Sequence, residues 1–261
     1  MPDAQEERAP IVSISLSVNV NKVATLRNSR GGQVPSVTRA VATCLEAGAP
    51  GITVHPRADQ RHIRPGDVRE IAAQLAEWRA RHSTRVEFNI EGDARPDLID
   101  LVLAVRPDQC TLVPVSPGEI TSHAGWRPGA AAEALGGIIG RLRAAGVRVS
   151  VFVDPEEAPI RWASAVGADR IELYTEPFAR AFAEGGDAAR RSFDQYVHAA
   201  TVAHALGLGI NAGHDLDLDN LTMFRTLPHL AEVSIGHALI SHALWVGLDR
   251  AVRDYLAAVA I

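Results

Sequence analysis

Short β-branched runs alternate with longer stretches of helical periodicity along almost the whole chain. The apolar positions predict eight strands, near Ser13–Val18, Ile52–His55, Arg85–Ile90, Gln109–Pro114, Val147–Val153, Arg170–Tyr174, Gly209–Asn211 and Glu232–Ile235. Between them apolar residues recur on one helical face, as in Val68, Ile71, Leu75 and Trp78, or Leu98, Leu101, Val102 and Val105. Several of these helices stop at a pair such as Ala47-Gly48, Ala145-Gly146, Val166-Gly167 or Leu206-Gly207 just before the next strand. A glycine there accepts the left-handed backbone that ends a helix and opens a tight turn. Strict alternation of eight similar units predicts an α/β fold, a single (β/α)₈ TIM barrel. A doubly wound open sheet is the alternative, but it does not normally need eight such units. The stretch Glu176–Gly207 is long for one crossover and predicts an extra helix between strands six and seven.

The 261 residues suit one barrel, and at 47% hydrophobic the chain can bury a large core. Met1–Pro10 is acidic and polar and reads as a flexible N-terminus; residues 11–261 read as one domain without a low-complexity linker. We expect no signal peptide and no membrane span, since no apolar run has the required length. A net charge of −5 without a basic block argues against nucleic-acid partners. The two cysteines, Cys44 and Cys110, fall in apolar patterns and read as buried free thiols of a cytoplasmic protein. No Cys/His spacing resembles a zinc site, and no metal is expected.

Barrel enzymes place their chemistry at the C-terminal ends of the strands. Strand one ends in Asn19-Val-Asn21-Lys22, followed by a loop carrying Arg27 and Arg30. Strand two ends at His55, where Pro56 stops it and fixes the imidazole at the rim; Arg57, Arg61 and His62 follow. A titratable ring beside cations suits proton transfer next to a bound anion. Strands three and six offer Glu87 and Glu172, and Thr121 lies beyond strand four. Glu87 shares its parity with Asn89, which aims both into the barrel, although a solvated pair with Arg85 is the simpler reading for that residue taken alone. Strand seven yields Asn211-Ala-Gly213-His214, with Asp215 next, and strand eight yields Gly236-His237. The turn at Gly236-His237 opens an apolar helix, and exposed N–H groups at a helix start cradle phosphate. His82, His123, His198, His204, His229 and His242 fall in helices or loops and read as surface or packing residues.

Four separated motifs carry a family resemblance: Val18-Asn-Val-Asn-Lys-Val-Ala-Thr-Leu-Arg-Asn-Ser-Arg30-Gly, Gly51-Ile-Thr-Val-His-Pro-Arg57 with Arg61-His62, Asn211-Ala-Gly-His214, and Ile235-Gly-His237. In this order they resemble pyridoxine 5′-phosphate synthase over nearly the whole chain. The resemblance implies a cofactor-free barrel enzyme of vitamin B6 biosynthesis. Such an enzyme condenses 1-deoxy-D-xylulose 5-phosphate with 3-amino-2-oxopropyl phosphate, releasing phosphate and water, and is typically a homo-octamer. It implies that His55, Glu87 and His214 are the acid/base groups. Arg57, His62 and Thr121 would hold the deoxyxylulose phosphate. Asn19, Arg30, the main chain at Asp215, and Gly236-His237 would hold the amino-ketone phosphate, and Glu172 matches a site carboxylate. Two positions depart from the pattern. Asn21-Lys22 stands where many members have Asp-His, and Asp215 where a glycine often follows the histidine.

From the residues alone, two other readings stay open. One is a metal-dependent barrel hydrolase using His55, His214 and His237. The other is a phosphometabolite-binding protein without activity, prompted by Asn21-Lys22.

Overall fold

The computed structural model describes residues 14–114, 124–129 and 134–260. Eight parallel strands close in sequence order: β1 (Ser15–Asn19), β2 (Gly51–Val54), β3 (Glu87–Gly92), β4 (Gln109–Leu112), β5 (Arg148–Val153), β6 (Arg170–Tyr174), β7 (Gly209–Gly213) and β8 (Leu230–Ile235), with β8 pairing back onto β1. The expected TIM barrel is therefore the observed fold. Around it run α1 (Asn21–Asn28), α2 (Val37–Glu46), α3 (Pro65–His82), α4 (Pro96–Val105), α5 (Leu135–Ala144) and α6 (Glu157–Ala165). The expected extra helix between strands six and seven is present, as α7 (Glu176–Glu184) precedes the long α8 (Gly186–Ala205). The one-turn α9 (Leu221–Phe224), then α10 (His237–Val246) and α11 (Leu248–Val259), complete the ring. Gly48 and Gly207 take φ of 100° and 76°, the left-handed helix stops expected at those pairs. Met1–Pro10 lies outside the described residues.

Alternation along each strand sorts side chains to two faces. Outward residues such as Leu16, Val18, Ile52, Phe88, Ile90, Val149, Val151, Ile171, Ile210 and Val233 are buried and join the apolar layer under the helices. The inward residues are polar where barrels usually pack branched aliphatics. Ser17, Thr53, Asn89, Thr111, Ser150, Glu172, Asn211 and Ser234 are all buried. They bond one another: Ser17 to Thr53 at 2.6 Å, Thr111 Oγ1 to Asn89 Oδ1 at 3.1 Å, and Asn89 Nδ2 to Thr53 Oγ1 at 3.3 Å. At the N-terminal mouth, Glu87 pairs with Arg148, whose Nε donates to Gln109 Oε1 at 2.9 Å. Arg170 Nη1 donates there to Asn211 Oδ1 at 2.7 Å.

The β1 and β2 loops are tied together by charge. Arg27 is 3% exposed and grips Asp67 through two bonds of 2.5 and 2.8 Å, while also donating to the His62 carbonyl at 3.2 Å. Asn28 Nδ2 donates to that same carbonyl at 2.7 Å. Arg27 is thus a structural anchor inside the protein rather than a solvated loop cation. Removing it leaves the buried Asp67 carboxylate without a counter-charge, held only by the Arg64 N–H at 2.8 Å, so Arg27→Ala should cost about 3–5 kcal/mol of stability, measured by urea unfolding. A loss under 1 kcal/mol would show that Asp67 is solvated in solution.

Candidate active site

A cavity of about 440 Å³ opens at the C-terminal ends of the strands. Its wall begins where β1 gives way to α1. Asn21 N–H donates to Asn19 Oδ1 at 3.0 Å, and Asn21 Oδ1 accepts the His55 N–H at 2.9 Å. The amide of Asn21 therefore clips the end of β2 to the end of β1 and sets the height of the His55 ring.

His55 Nδ1 lies 4.0 Å from Glu91 Oε2. Glu91 is the inward residue one step from the end of β3; Asn19 Nδ2 donates to it at 3.4 Å and Ser234 Oγ at 3.5 Å. Glu87, the expected carboxylate, opens the same strand at the opposite mouth of the barrel and is bonded to Arg148. The carboxylate at this wall is thus Glu91, not Glu87. The sequence reading ended β3 at Ile90, whereas the strand runs on to Gly92, the residue that breaks it before Asp93 and Pro96. A strand end drawn at that glycine would have singled out Glu91, which shares the parity of Glu87 and Asn89.

Burial governs the ionisation of this pair. It pushes Glu91 up to about 8, the nearby charge of Glu232 adding to the rise and the Ser234 bond opposing it. His55 is held well below the ordinary imidazole range by burial, then by the charges of His62, Arg57, Arg95 and His214. The pair therefore favours its neutral forms, a carboxylic acid beside a free-base imidazole. His55 Nε2 has no hydrogen-bond partner among the described residues, so it can serve a ligand in the cavity. Burial likewise raises Glu172 well above the carboxylate range, with the Glu91 charge adding to it.

Cations line the β2 side. Arg57, Arg61, His62 and Lys22 all face the cavity, Lys22 being the only lysine in the sequence. His62 is pushed down to about 4, chiefly by burial and then by Arg57 and Lys22, so it remains a neutral ring beside three fixed charges. Its ring meets that of His55 edge-on at 5.8 Å. This corner suits a dianion with a neutral hydrogen-bonding partner.

The opposite wall comes from β6 to β8. His214 packs against Phe152 at 4.8 Å and Tyr174 at 5.5 Å. Asp215, Gly236, His237 and Ala238 line the floor where α10 begins, which brings helix N–H groups and the positive end of a ten-residue helix to the cavity. A Cβ at Gly236 would sit 3.0 Å from Asn19 Cβ, so glycine keeps Asn19 in reach of Glu91. Of the expected site residues, Asn19, Asn21, Lys22, His55, Arg57, His62, Glu172, His214, Asp215, Gly236 and His237 share this one cavity. Glu87 does not, and Arg30 lies exposed in the turn after α1, away from the lining. Thr121 lies outside the described residues. Besides Glu91, the sequence reading missed Ser234, an inward β8 hydroxyl whose position only barrel closure reveals. Among the described residues no three His, Cys, Asp or Glu side chains are grouped to hold a metal ion.

Residues 16–260 match the model of the family described as pyridoxal phosphate biosynthesis protein PdxJ. The chain belongs to that family. Among PdxJ relatives, the pyridoxine 5′-phosphate synthase of Bacteroides thetaiotaomicron is 50% identical over 241 residues, covering 92% of this chain and 97% of that one. The pyridoxine 5′-phosphate synthase of Porphyromonas gingivalis is also 50% identical, covering 92% and 96%. Among solved structures, tryptophan synthase from M. tuberculosis superposes with a TM-score of 0.62 over 96% of this chain and 94% of that chain. At 11% identity that likeness shows the PdxJ barrel fold alone.

The raised Glu91 carboxyl makes stability depend on pH. Folding holds a proton on Glu91 up to about 8, whereas the unfolded carboxyl releases it near 4.5. Between those values the native state binds more protons, so this group's contribution falls as pH rises. His55 acts in the opposite sense, losing stability as pH drops below 6.5. The melting temperature of Glu91→Gln should therefore rise relative to the unsubstituted protein between pH 6.5 and 8. A constant difference across that window would place an ionised Glu91 in the native cavity.

Proposed function

We propose that this chain is a pyridoxine 5′-phosphate synthase, condensing 1-deoxy-D-xylulose 5-phosphate with 3-amino-2-oxopropyl phosphate and releasing phosphate and water. The observation that carries the reading is a neutral Glu91–His55 pair set between two separate anion corners, in a chain half-identical to enzymes of that name over nearly its full length. Two phosphorylated substrates need two such corners. Arg57, His62 and Lys22 take the deoxyxylulose phosphate, with Thr121 assigned there by resemblance. The Asp215 main chain and Gly236-His237 take the amino-ketone phosphate, with Asn19 at the edge.

Each chemical stage moves protons at an atom next to a carbonyl or imine: imine formation, loss of phosphate and water, ring closure, aromatisation. Such steps need groups that give and take protons near neutral pH. Glu91 enters as a carboxylic acid able to donate, His55 as a free imidazole able to accept, and His214 serves the amino-ketone side. Glu172, a second buried carboxyl on the same cavity, presents an oxygen with no partner among the described residues and can donate to a developing oxyanion. The one lysine of the sequence, Lys22, is assigned to the deoxyxylulose phosphate, so the imine forms on the substrate's own amine.

We infer that the protein works as a homo-octamer in the cytoplasm. Leu26 and Val34 near α1, with Leu244, Trp245 and Val246 on α10, expose large apolar side chains on neighbouring elements, Val34 by 81% and Trp245 by 85%. That surface suits burial against further copies. Arg30 sits exposed in the same α1–α2 segment. Cys44 and Cys110 are buried, free and pushed up to about 12 by burial, which fits a reducing compartment.

Turnover of the two named substrates to pyridoxine 5′-phosphate in a metal chelator tests the reading. Product should form at an undiminished rate; loss of activity restored by a divalent ion would overturn the cofactor-free reading, and no product at all would favour a binding protein. Within that assay Glu91→Gln should lower kcat by roughly 10²–10⁴, the usual worth of one acid/base group. Glu87→Gln should leave kcat within a few-fold once the folded fraction is measured. The opposite ranking would return the catalytic role to Glu87.

A further inference from the structure

The chain leaves β7 through two successive non-glycine residues in the left-handed region, His214 at φ 80° and Asp215 at φ 57°. Crowding between Cβ and the backbone disfavours that region for L-residues, and two in a row is not a conformation this sequence adopts unaided. The surroundings impose it by taking hold of three consecutive carbonyls. Gly213 O accepts from Thr175 N at 3.1 Å and from Thr175 Oγ1 at 2.7 Å. The same hydroxyl also reaches His214 O. Asp215 O accepts from Asn220 Nδ2 at 2.9 Å.

Both holders are themselves fixed. Thr175 is fully buried where β6 enters α7, and Asn220 is 2% exposed. Asn220 exchanges bonds with Asp217, through Asp217 N to Asn220 Oδ1 at 2.9 Å and Asn220 N to Asp217 Oδ1 at 2.8 Å. Because a trans peptide points its C=O and N–H in opposite directions, pinning His214 O to Thr175 turns the Asp215 N–H the other way.

We propose that Thr175 and Asn220 are positioning residues that clamp the left-handed His214–Asp215 turn, setting the His214 ring and directing the Asp215 N–H to the amino-ketone phosphate. The proposal rests on the roles given above to His214 and the Asp215 main chain. It explains how this chain carries an aspartate where a glycine would adopt the turn without help.

The test compares Thr175→Val, which keeps the shape and removes the donor, with Thr175→Ser, which keeps the donor. Thr175→Val should lower kcat by roughly ten- to a hundredfold, the scale of a misplaced catalytic group. It should also raise KM for the amino-ketone phosphate while leaving KM for the deoxyxylulose phosphate unchanged. Thr175→Ser should recover most of both. Asp215→Gly added to Thr175→Val should also recover part of the loss, since glycine takes the left-handed turn unclamped; a merely structural Thr175 gains nothing from it. If Thr175→Val does not fold, Asn220→Asp, which replaces the donor by an acceptor, carries the same KM split. Unchanged kinetics in folded Thr175→Val, with His214→Asn inactive, overturn the clamp and leave the role of His214 standing. An active His214→Asn overturns that role, and the clamp with it.

Discussion

Every other feature of this molecule depends on a closed barrel filled with polar side chains. A sheet closed in sequence order has no edge, and its interior is reached by little water. Each inward hydroxyl, amide and carboxyl must find a partner across the axis or bear the cost of desolvation. The mesh of Ser17, Thr53, Asn89 and Thr111 in the middle layer meets that demand, as do Glu87 and Arg148 at the lower mouth. The apolar drive that holds the fold lies outside this cylinder, between the strands and the helices, so stability and chemistry occupy different faces of the same strands.

That separation sets the character of the catalytic groups. Carboxyls placed at the upper end of such an interior are poorly hydrated and lie near one another, so Glu91 and Glu172 rise in pKa, and His55 falls for the same reason. The fixed charges lie on the loops around that interior, with Arg61 exposed, Lys22 half-buried and Arg57 as buried as His55. Burial thus shifts the proton carriers toward their neutral forms, and the loops bring the fixed cations against the same cavity.

The rim loops are positioned by a few buried bonds. Arg27 and Asn28 hold the His62 carbonyl from α1, Asn21 fastens the main chain of His55, and Thr175 with Asn220 grips the turn after β7. All of these bonds except the one from Asn220 span two βα units, so the geometry of the cavity is a property of neighbouring loops together and of no single motif.

Much of this was legible in the chain itself. Apolar periodicity and glycine helix stops identify the eight βα units, because both reflect local backbone preferences. The motifs at the ends of strands one, two, seven and eight mark the rim, because a proline or glycine stops the last three beside a polar residue and strand one runs straight into Asn19-Val-Asn21-Lys22. Strand three shows the limit. Glu87, Asn89 and Glu91 share one parity, so apart from the strand-ending Gly92 the local pattern does not distinguish a carboxyl at the lower mouth from one at the upper. The register against β2 and β4, with Arg148 below and Asn19, His55 and Ser234 above, separates them. Arg27 and Arg30 pose the same problem three residues apart. One is an internal anchor and the other is exposed, since burial is decided by Asp67, forty residues away in sequence. Local sequence determines which residues can do chemistry, and barrel closure decides which of them meet.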